Sequence, residues 1–261
     1  MSRIMTKAEI LPAPTLGALA RRGRHLAPAS ALAALAVLSG CAGSPPVRYY
    51  TLTVPAQASV PAPLGHDAAP SDFPAAPGQA PVSAPAATTA GYAIDVAPVS
   101  MPAQADRPEL MLRSGSGELT AQYSDRWSAP LPDELRNALS MVLTRQLGVP
   151  DVRKLAPMPG LPVWRVQVDV QRFDASTAGP AVIDATWRVR PLQGKGAGLL
   201  CRSRVEVPVD MPAGSTDLEP VVVAEQQAVA LLGYAIASAV QSQGRQEVAA
   251  SAMMRMVQCV H

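Results

Sequence analysis

The sequence predicts an α+β domain of two layers, in which about two helices pack on one face of a mainly antiparallel or mixed β-sheet. Two observations predict it. Three consecutive segments alternate apolar and polar residues with a period of two, and two other segments repeat apolar residues at helical spacing. Helices and antiparallel strands segregated in this way characterise the α+β class.

The alternating segments cover residues 164–171, 183–190 and 201–207. In the first of them Trp164 and Val166 share one face, while Arg165 and Gln167 share the other. This pattern is typical of antiparallel strands with one buried and one solvated face.

Shorter strands are predicted upstream, where aromatic and β-branched residues cluster between turn signals. They cover residues 49–54 and 92–99, and a hairpin is predicted from residues 110–113 and 119–123 around a Ser-Gly turn. These strands would complete the sheet.

The first predicted helix begins near Leu131, because Pro132, Asp133 and Glu134 suit a first helical turn. It ends at Gly148.

The second predicted helix covers about residues 218–243, with Asp217 as its N-cap and Gly244 as its end. The tail at residues 244–261 could form another short helix, although its apolar periodicity is poor.

Residues 1–40 are predicted to be a signal peptide. Arginines at positions 21, 22 and 24 precede an apolar run of about a dozen residues, which is shorter than the ~20 needed to span a bilayer. Leu38, Ser39, Gly40 and Cys41 follow, and they resemble the lipobox of bacterial lipoproteins, whose cysteine is lipidated. A short buried helix and twin-arginine export are the alternatives. By resemblance to enterobacterial lipoproteins, Ala42 implies the outer membrane, facing the periplasm.

The net charge of the chain after Cys41 argues against nucleic acid as a partner. Five of the 22 basic and one of the 20 acidic residues precede Cys41, so the remainder has 17 basic and 19 acidic residues, a net charge of −2. Such a balance offers no excess positive potential to phosphate backbones, so nucleic-acid binding is not expected.

Residues 41–48 are interpreted as the lipidated cysteine and a short tether, and residues 49–243 as the domain. Residues 55–90 consist mainly of Pro, Ala, Ser, Gly and Gln, which predicts a disordered insertion. If residues 49–54 are a strand, the tether is only residues 42–47. Six extended residues reach about 20 Å, so the domain would lie close to its bilayer.

Several ordered segments resemble one family. Residues 49–52 look like its opening strand, residues 96–102 like its V-x-P-V-x-L-P segment, residues 106–108 like its D-R-P motif, and residues 126–131 like its W-x-x-P-L approach to the first helix. The chain thus resembles the ABC-type transport auxiliary lipoproteins of the PqiC-like intermembrane transport group. The motif residues, expected to be structural or partner contacts, are Tyr50, Pro98, Pro102, Asp106, Arg107, Pro108, Trp127, Pro130 and Leu131.

The resemblance implies a non-catalytic outer-membrane lipoprotein of an MCE-type lipid transport system. It would dock, or form a collar for, an MCE-domain protein in the periplasm, together with an inner-membrane permease, and could form a ring-shaped homo-oligomer. The transported lipid would be a phospholipid or a similar molecule. A stand-alone periplasmic lipid-binding lipoprotein is the alternative.

The sequence contains few candidates for catalytic residues. The three histidines are His25, His66 and His261, in the predicted signal, the insertion and the last position. Residues 194–198 lack the Lys-Ser/Thr ending of a phosphate-binding loop and are interpreted as a hairpin turn. With neither paired cysteines nor clustered histidines at ligand spacing, no metal and no cofactor are expected.

Two further features are left open. Cys201 and Cys259 could form a disulfide in an oxidising periplasm, or Cys201 could simply be buried as a free thiol. The polar face of the predicted sheet carries five arginines and is the best candidate for an interaction surface, although interleaved acids favour an ordinary solvated face by about two to one. The five are Arg165, Arg188, Arg190, Arg202 and Arg204.

Overall fold

The computed structural model describes residues 46–53, 91–156, 158–193, 196–245 and 252–261. These residues lie in one compact unit, Pro46–His261. Within its described part the unit contains eight strands and two helices. In chain order they are β1 (Arg48–Tyr50), β2 (Ala93–Val96), β3 (Glu109–Arg113), β4 (Leu119–Trp127), α1 (Leu131–Leu147), β5 (Val163–Asp174), β6 (Pro180–Gln193), β7 (Leu199–Pro208), α2 (Glu219–Gln241) and β8 (Met254–Val260).

The strands form two sheets. The five-stranded sheet has the order β2-β5-β6-β7-β8 and is antiparallel except where β2 pairs with β5. The three-stranded sheet has the order β1-β4-β3, with β1 parallel to β4 and the β3–β4 hairpin antiparallel. The α+β class and the mixed sheet are therefore confirmed, but the strands are divided between two sheets. The Arg113 N–H donates to the Ala175 carbonyl at 2.8 Å and links them.

The helices cover one face of the five-stranded sheet. The inward side chains of its central strands, such as Val166, Trp187 and Val205, are almost fully buried, which confirms the alternation of period two. Leu139 of α1 and Ile236 of α2 are also fully buried in the same core. The layer between helices and sheet is thus filled by aliphatic side chains and tryptophans.

The two helices approach each other closely at Gly233 of α2. A Cβ atom at this position would lie 2.6 Å from Cγ1 of Val142 on α1. The absence of a side chain at Gly233 therefore sets the distance between the helices.

Helix α1 follows its prediction. Gly148 has the left-handed conformation with φ 65°, and its N–H donates to the Thr144 carbonyl at 3.0 Å.

The N-cap prediction for α2 is wrong, because Leu218 occupies that position instead of Asp217. Asp217 Oδ1 nevertheless accepts a hydrogen bond from the Glu219 N–H at 3.2 Å, so its carboxylate still stabilises the first turn of the helix. The helix ends at Gln241, two residues before the predicted end.

Helix α2 is long and apolar enough to span a membrane by length and composition alone. Its most apolar window has a mean hydropathy of 1.4, but 67% of that window is buried inside the domain. It is a core helix of the two-layer fold.

The prediction of a short helix in the tail is wrong for residues 254–260. These residues form β8, which pairs antiparallel with β7. The edge of β7 offers backbone donors and acceptors that a strand satisfies and a helix would not. Met254 turns into the core while Arg255 is exposed, an alternation that the poor helical periodicity concealed. The tail belongs to the sheet.

Candidate functional site

The opening strand β1 is held in place by a buried carboxylate on β4. Arg48 Nε donates to Asp125 Oδ1 at 2.8 Å, and the Tyr50 hydroxyl donates to the same oxygen at 3.0 Å. Arg48 Nη1 also reaches Asp217 Oδ1 at 2.5 Å. One acid therefore receives the two polar side chains on one face of β1.

Glu134, in the first turn of α1, holds the residues that follow β1. Its Oε2 accepts the Thr51 hydroxyl at 2.7 Å and the Leu52 N–H at 3.0 Å, while its Oε1 accepts the Ser128 hydroxyl at 2.5 Å. Gln226 of α2 adds a hydrogen bond to the Thr51 carbonyl at 2.8 Å. Leu52 is fully buried, so the segment is anchored by packing as well as by polar contacts.

The predicted motif residues around α1 are mainly structural. Trp127 is buried, with its ring centroid 6.3 Å from that of Phe173 and the planes tilted by 58°. Leu131 is buried in the same core, while Pro130 is exposed and its carbonyl accepts the Asp133 N–H at 2.9 Å. The structure brings these residues together with Tyr50 at one end of α1.

The Asp106-Arg107-Pro108 motif lies in the turn before β3. The Pro108 carbonyl accepts the Trp127 N–H at 2.8 Å, which links the motif to the core tryptophan. Arg107 Nε lies 3.7 Å from the carboxylate of buried Glu109. The side chain of Asp106 is exposed, and its backbone N–H donates to the Pro102 carbonyl at 3.1 Å.

Pro98 lies apart from the residues at the end of α1, because its segment follows β2 along β5; Pro102 ends that segment and contacts the Asp106 turn. The Ala97 N–H donates to the Val166 carbonyl at 2.9 Å, and the Val170 N–H donates to the Ser100 carbonyl at 2.9 Å. Pro98 is exposed on this segment. It is one of several exposed motif positions, with Asp106, Arg107, Pro108 and Pro130.

The outer face of the five-stranded sheet, opposite the helices, carries the predicted arginines, and most of them are paired. Arg165 pairs with Asp95 at 2.6 Å, Arg202 with Asp184 at 2.9 Å, and Arg204 with Glu206 at 2.6 Å. In the first two pairs the acid lies on the neighbouring strand, and in the third it lies on the same strand. For these residues the solvated-face interpretation holds.

Arg188 and Arg190 of β6 differ from their neighbours. Neither forms an ion pair with any other residue in the part of the chain that the structure describes. Arg188 lines a shallow cavity of about 300 Å³ together with Pro98, Ser100, Thr186 and Leu200. A family-motif proline and an unpaired cation therefore share one accessible site.

A second cavity, of about 390 Å³, lies at the start of α2. Its rim includes Asp210, Asp217 and Glu219, and its wall includes Pro220 and the half-exposed Val223. Its acidic rim suits a cationic or neutral group better than a phosphate.

Titratable groups in the fold are shifted by burial and by their partners. Burial, together with the hydrogen bond to Asp125, raises the pKa of Tyr50 to about 12. Burial alone would raise the pKa of Asp174, but hydrogen bonds from Arg172 and Arg113 hold it below its usual value. These shifts belong to structural ion pairs and not to a reactive centre.

Glu225 on α2 is buried without a hydrogen bond to its Oε2 atom. Burial, and secondarily the charge of Asp174, raises the pKa of Glu225 well above its usual value. Burial therefore favours the protonated form of Glu225 over the charged form.

The sequence analysis missed the roles of Asp125, Glu134 and Glu225. Glu134 was assigned only to a helical first turn, although it stands beside two apolar residues that face the core, Leu131 and Leu135. An acid inside an apolar helical face is the signal that could have revealed both Glu134 and Glu225.

Cys201 and Cys259 are direct register partners on β7 and β8, with their Cα atoms 4.1 Å apart. The structure joins their Sγ atoms as a disulfide.

The predicted lipidation site and the predicted insertion lie outside the described residues. The lipidation site is Cys41, with its lipobox residues Leu38, Ser39 and Gly40. In the described part of the chain, no cluster of three or more His, Cys, Asp or Glu residues could hold a metal ion.

Comparisons with known proteins place this fold in a family. The family model of the ABC-type transport auxiliary lipoprotein component matches residues 75–237, which include β2 to β7, α1, most of α2 and the Pro98 and Trp127 motifs. The match begins after β1. No curated protein gives a significant sequence match.

Two solved structures are similar to the chain. A crystal structure of an uncharacterized protein has 19% sequence identity and a TM-score of 0.48, covering 58% of this chain and 94% of the other. A crystal structure of a Xanthomonas campestris protein of the DUF330 family has 21% identity and a TM-score of 0.44, covering 62% and 91%.

Because the family model spans more than half of the sequence, the chain belongs to the ABC-type transport auxiliary lipoprotein component family.

Proposed function

We propose that this protein is a non-catalytic, outer-membrane lipoprotein subunit of an MCE-type phospholipid transport system. It would be lipidated at Cys41, face the periplasm, and dock the MCE-domain protein that works with an inner-membrane permease. The family assignment supports the transport-related lipoprotein role. The docking role rests on the site described above.

The observation that carries the proposal is the unpaired Arg188 beside the exposed Pro98. Arg165, Arg202 and Arg204 of the outer face are neutralised by acids such as Asp95 and Asp184. Arg188 and Arg190 have no such partner among the described residues, and of these two Arg188 lines the cavity beside Pro98. The cavity beside Arg188 is lined by both polar residues, including Asp169, and apolar residues, including Leu200, which is 39% exposed. An unpaired arginine in such a mixed hollow suits an acidic segment of a partner protein that also carries apolar side chains. We assign this surface to the MCE partner.

The contacts of β1 support a role as a rigid, membrane-bound dock. Because Asp125 and Glu134 fix β1 and Thr51 to the domain, only residues 42–47 lie between Cys41 and the folded structure. Such a short connection favours a domain held at the membrane surface over one that diffuses between two membranes.

The stand-alone lipid carrier has less support. Three cavities among the described residues approach ligand size, with volumes of about 390, 300 and 300 Å³; all are at least partly open to solvent, and the first has an acidic rim. Between the helices and the sheet, side chains fill the core.

Native mass spectrometry of the full protein, purified from membranes in detergent and mixed with the purified MCE protein, tests the proposal. Capture of the MCE protein by a species without bound transport lipid would support it. A monomer that carries phospholipid and ignores the MCE protein would contradict it and favour the carrier.

A matched pair of variants tests the surface. Arg188→Glu should weaken capture of the MCE protein at least tenfold, because it places an acid opposite an acidic partner. Lys154→Glu makes the same charge change at an exposed residue that does not line this cavity and should leave capture unchanged. Equal capture by both variants would exclude this surface as the dock.

A further inference from the structure

Two exposed tyrosines lie where the chain enters the fold. Tyr49 is 66% exposed and Tyr123 is 71% exposed, and Val47 beside them is 45% exposed. No other aromatic side chain among the described residues is as exposed. The three tryptophans and Phe173 are buried, and the remaining tyrosines are partly buried. Nothing in the packing of the domain requires aromatic rings at these positions.

Arg126 of β4 contacts the backbone of Tyr123 and is the register partner of Tyr49. Tyr49 of β1 is the register partner of Arg126, so both point to the same face of the three-stranded sheet. Arg126 Nε also donates to the Tyr123 carbonyl at 3.2 Å. This face is opposite the one on which Tyr50 contacts Asp125.

A second arginine accompanies this group. Arg107 and Arg126 approach the same carboxylate, that of Glu109, at 3.7 and 3.5 Å. Glu109 is buried while Arg107 is half-exposed, so the surface presents two guanidinium groups and one shielded acid. We define the tyrosine patch as Val47, Tyr49, Arg107, Tyr123 and Arg126.

The sequence position of the tyrosine patch limits what can cover it. Val47 is the sixth residue after Cys41, and six extended residues reach about 20 Å. A lipid on Cys41 would therefore hold this part of the surface within that distance of the bilayer.

The chemistry of the patch matches a headgroup layer. Tyrosine has an apolar ring and a polar hydroxyl, the combination that is enriched at membrane–water interfaces. Guanidinium groups bind phosphates through paired N–H donors. We propose that the tyrosine patch rests on the phospholipid headgroups of the membrane that holds the lipid anchor, and so fixes the orientation of the domain.

This inference rests on the proposed anchor at Cys41, and it goes beyond docking of a partner. The acyl chains supply the affinity for the membrane, because several chains hold a protein stably where one holds it only marginally. The tyrosine patch supplies orientation, with the opposite end of the domain turned away from the bilayer.

Hydroxyl-radical footprinting of the full lipidated protein tests the inference. The protein carries an added protease site in residues 42–46 and is reconstituted in protein-free vesicles of phosphatidylethanolamine and phosphatidylglycerol. Oxidation of Tyr49 and Tyr123 should be at least threefold slower on vesicles than after protease release. The matched controls Leu155 and Met158, 65% and 66% exposed, should oxidise equally in both states.

Equal oxidation of the tyrosines in both states would overturn the inference if mass spectrometry finds the lipid on Cys41. A missing lipid would overturn the anchor and this contact together, and the same spectrum identifies that case. Protection that appears only after the MCE protein is added would assign the patch to a protein contact and overturn it as a membrane contact.

A pair of double variants provides a second measurement. After cleavage of the tether, the wild-type domain should leave the vesicles at least twofold more slowly than Tyr49→Ser/Tyr123→Ser. The control Leu155→Ser/Met158→Ser should dissociate like wild type. Equal dissociation of all three proteins would contradict the inference.

Discussion

Arg48 and Asp125, separated by 77 positions in sequence, form an ion pair of 2.7 Å between β1 and β4. The side chain of Asp125 is only 11% exposed, so this carboxylate depends on its partners for compensation of its burial. The consequence is topological: the strand nearest the predicted lipid is part of the folded domain and not part of its tether.

Glu134→Ala should lower the free energy of unfolding by about 1–3 kcal/mol, because the buried Leu52 N–H and two hydroxyl donors lose their acceptor. Urea denaturation measures the change. Asp133→Ala, at the exposed neighbouring position, should change stability by no more than about 0.5 kcal/mol. Equal effects of the two substitutions would show that the Glu134 contacts contribute little.

Glu225→Gln should stabilise the protein at neutral pH. The folded-state pKa of Glu225 is raised above its usual value of 4.5, so its contribution to stability is fully present below that pH and is lost as the pH rises through the folded pKa. The amide does not titrate and avoids this loss. Denaturation midpoints at pH 4 and pH 7.5 should therefore be similar for the two proteins at the lower pH and higher for the variant at the upper pH. A variant that is less stable at pH 7.5 would indicate a cationic partner for Glu225.

Gly233→Ala should destabilise the contact between α1 and α2. Its Cβ would lie 2.6 Å from Val142 Cγ1 and 3.0 Å from Val142 Cβ, so rotation of the valine cannot relieve the overlap. Overpacking costs about 1–3 kcal/mol of stability, which outweighs the gain of about 1 kcal/mol from replacing glycine with a better helix former. Thermal unfolding should give a lower Tm for this variant, whereas Gly115→Ala, with open space around the new Cβ, should not. A higher Tm for Gly233→Ala would mean that the helices separate at little cost.

The pairing of Cys201 with Cys259 predicts a redox dependence of stability. Cys259→Ser should lower the free energy of unfolding by about 2–4 kcal/mol, because the bridge closes a loop between residues 58 positions apart. Wild-type protein in reductant should show the same loss. Peptide mapping after alkylation without reductant measures the pairing directly, and two alkylated thiols at these positions would refute it.

The sequence predicted the elements with strong periodicity better than their arrangement. The alternation at Val166 and Val168 and the stop at Gly148 are local signals, and the structure confirms the strand and the helix end that they predict. The pairing of β1 with β4 depends on contacts between residues far apart in sequence, such as Arg48 and Asp125, which periodicity does not report. The separation into two sheets has the same origin.

The site was predicted in part for a similar reason. Trp127 and Leu131 could be assigned to the core because large apolar residues beside a helix start are normally buried. Tail residues 254–260 could not be assigned, because a short edge strand gains its stability from β7 and not from its own propensities. For Arg188, only the positions of the neighbouring acids show which arginines of the outer face are free of ion pairs.

Site-specific proteolysis of the lipidated protein on vesicles tests the central claim, that β1 belongs to the domain and ties it to the membrane. A protease site placed within residues 55–90 should cut the chain without releasing the domain, because the contacts of Asp125 and Glu134 retain β1; release should require denaturant. A site placed within residues 42–46 should release the folded domain without denaturant. Release of a folded domain after cleavage within residues 55–90 would contradict the account.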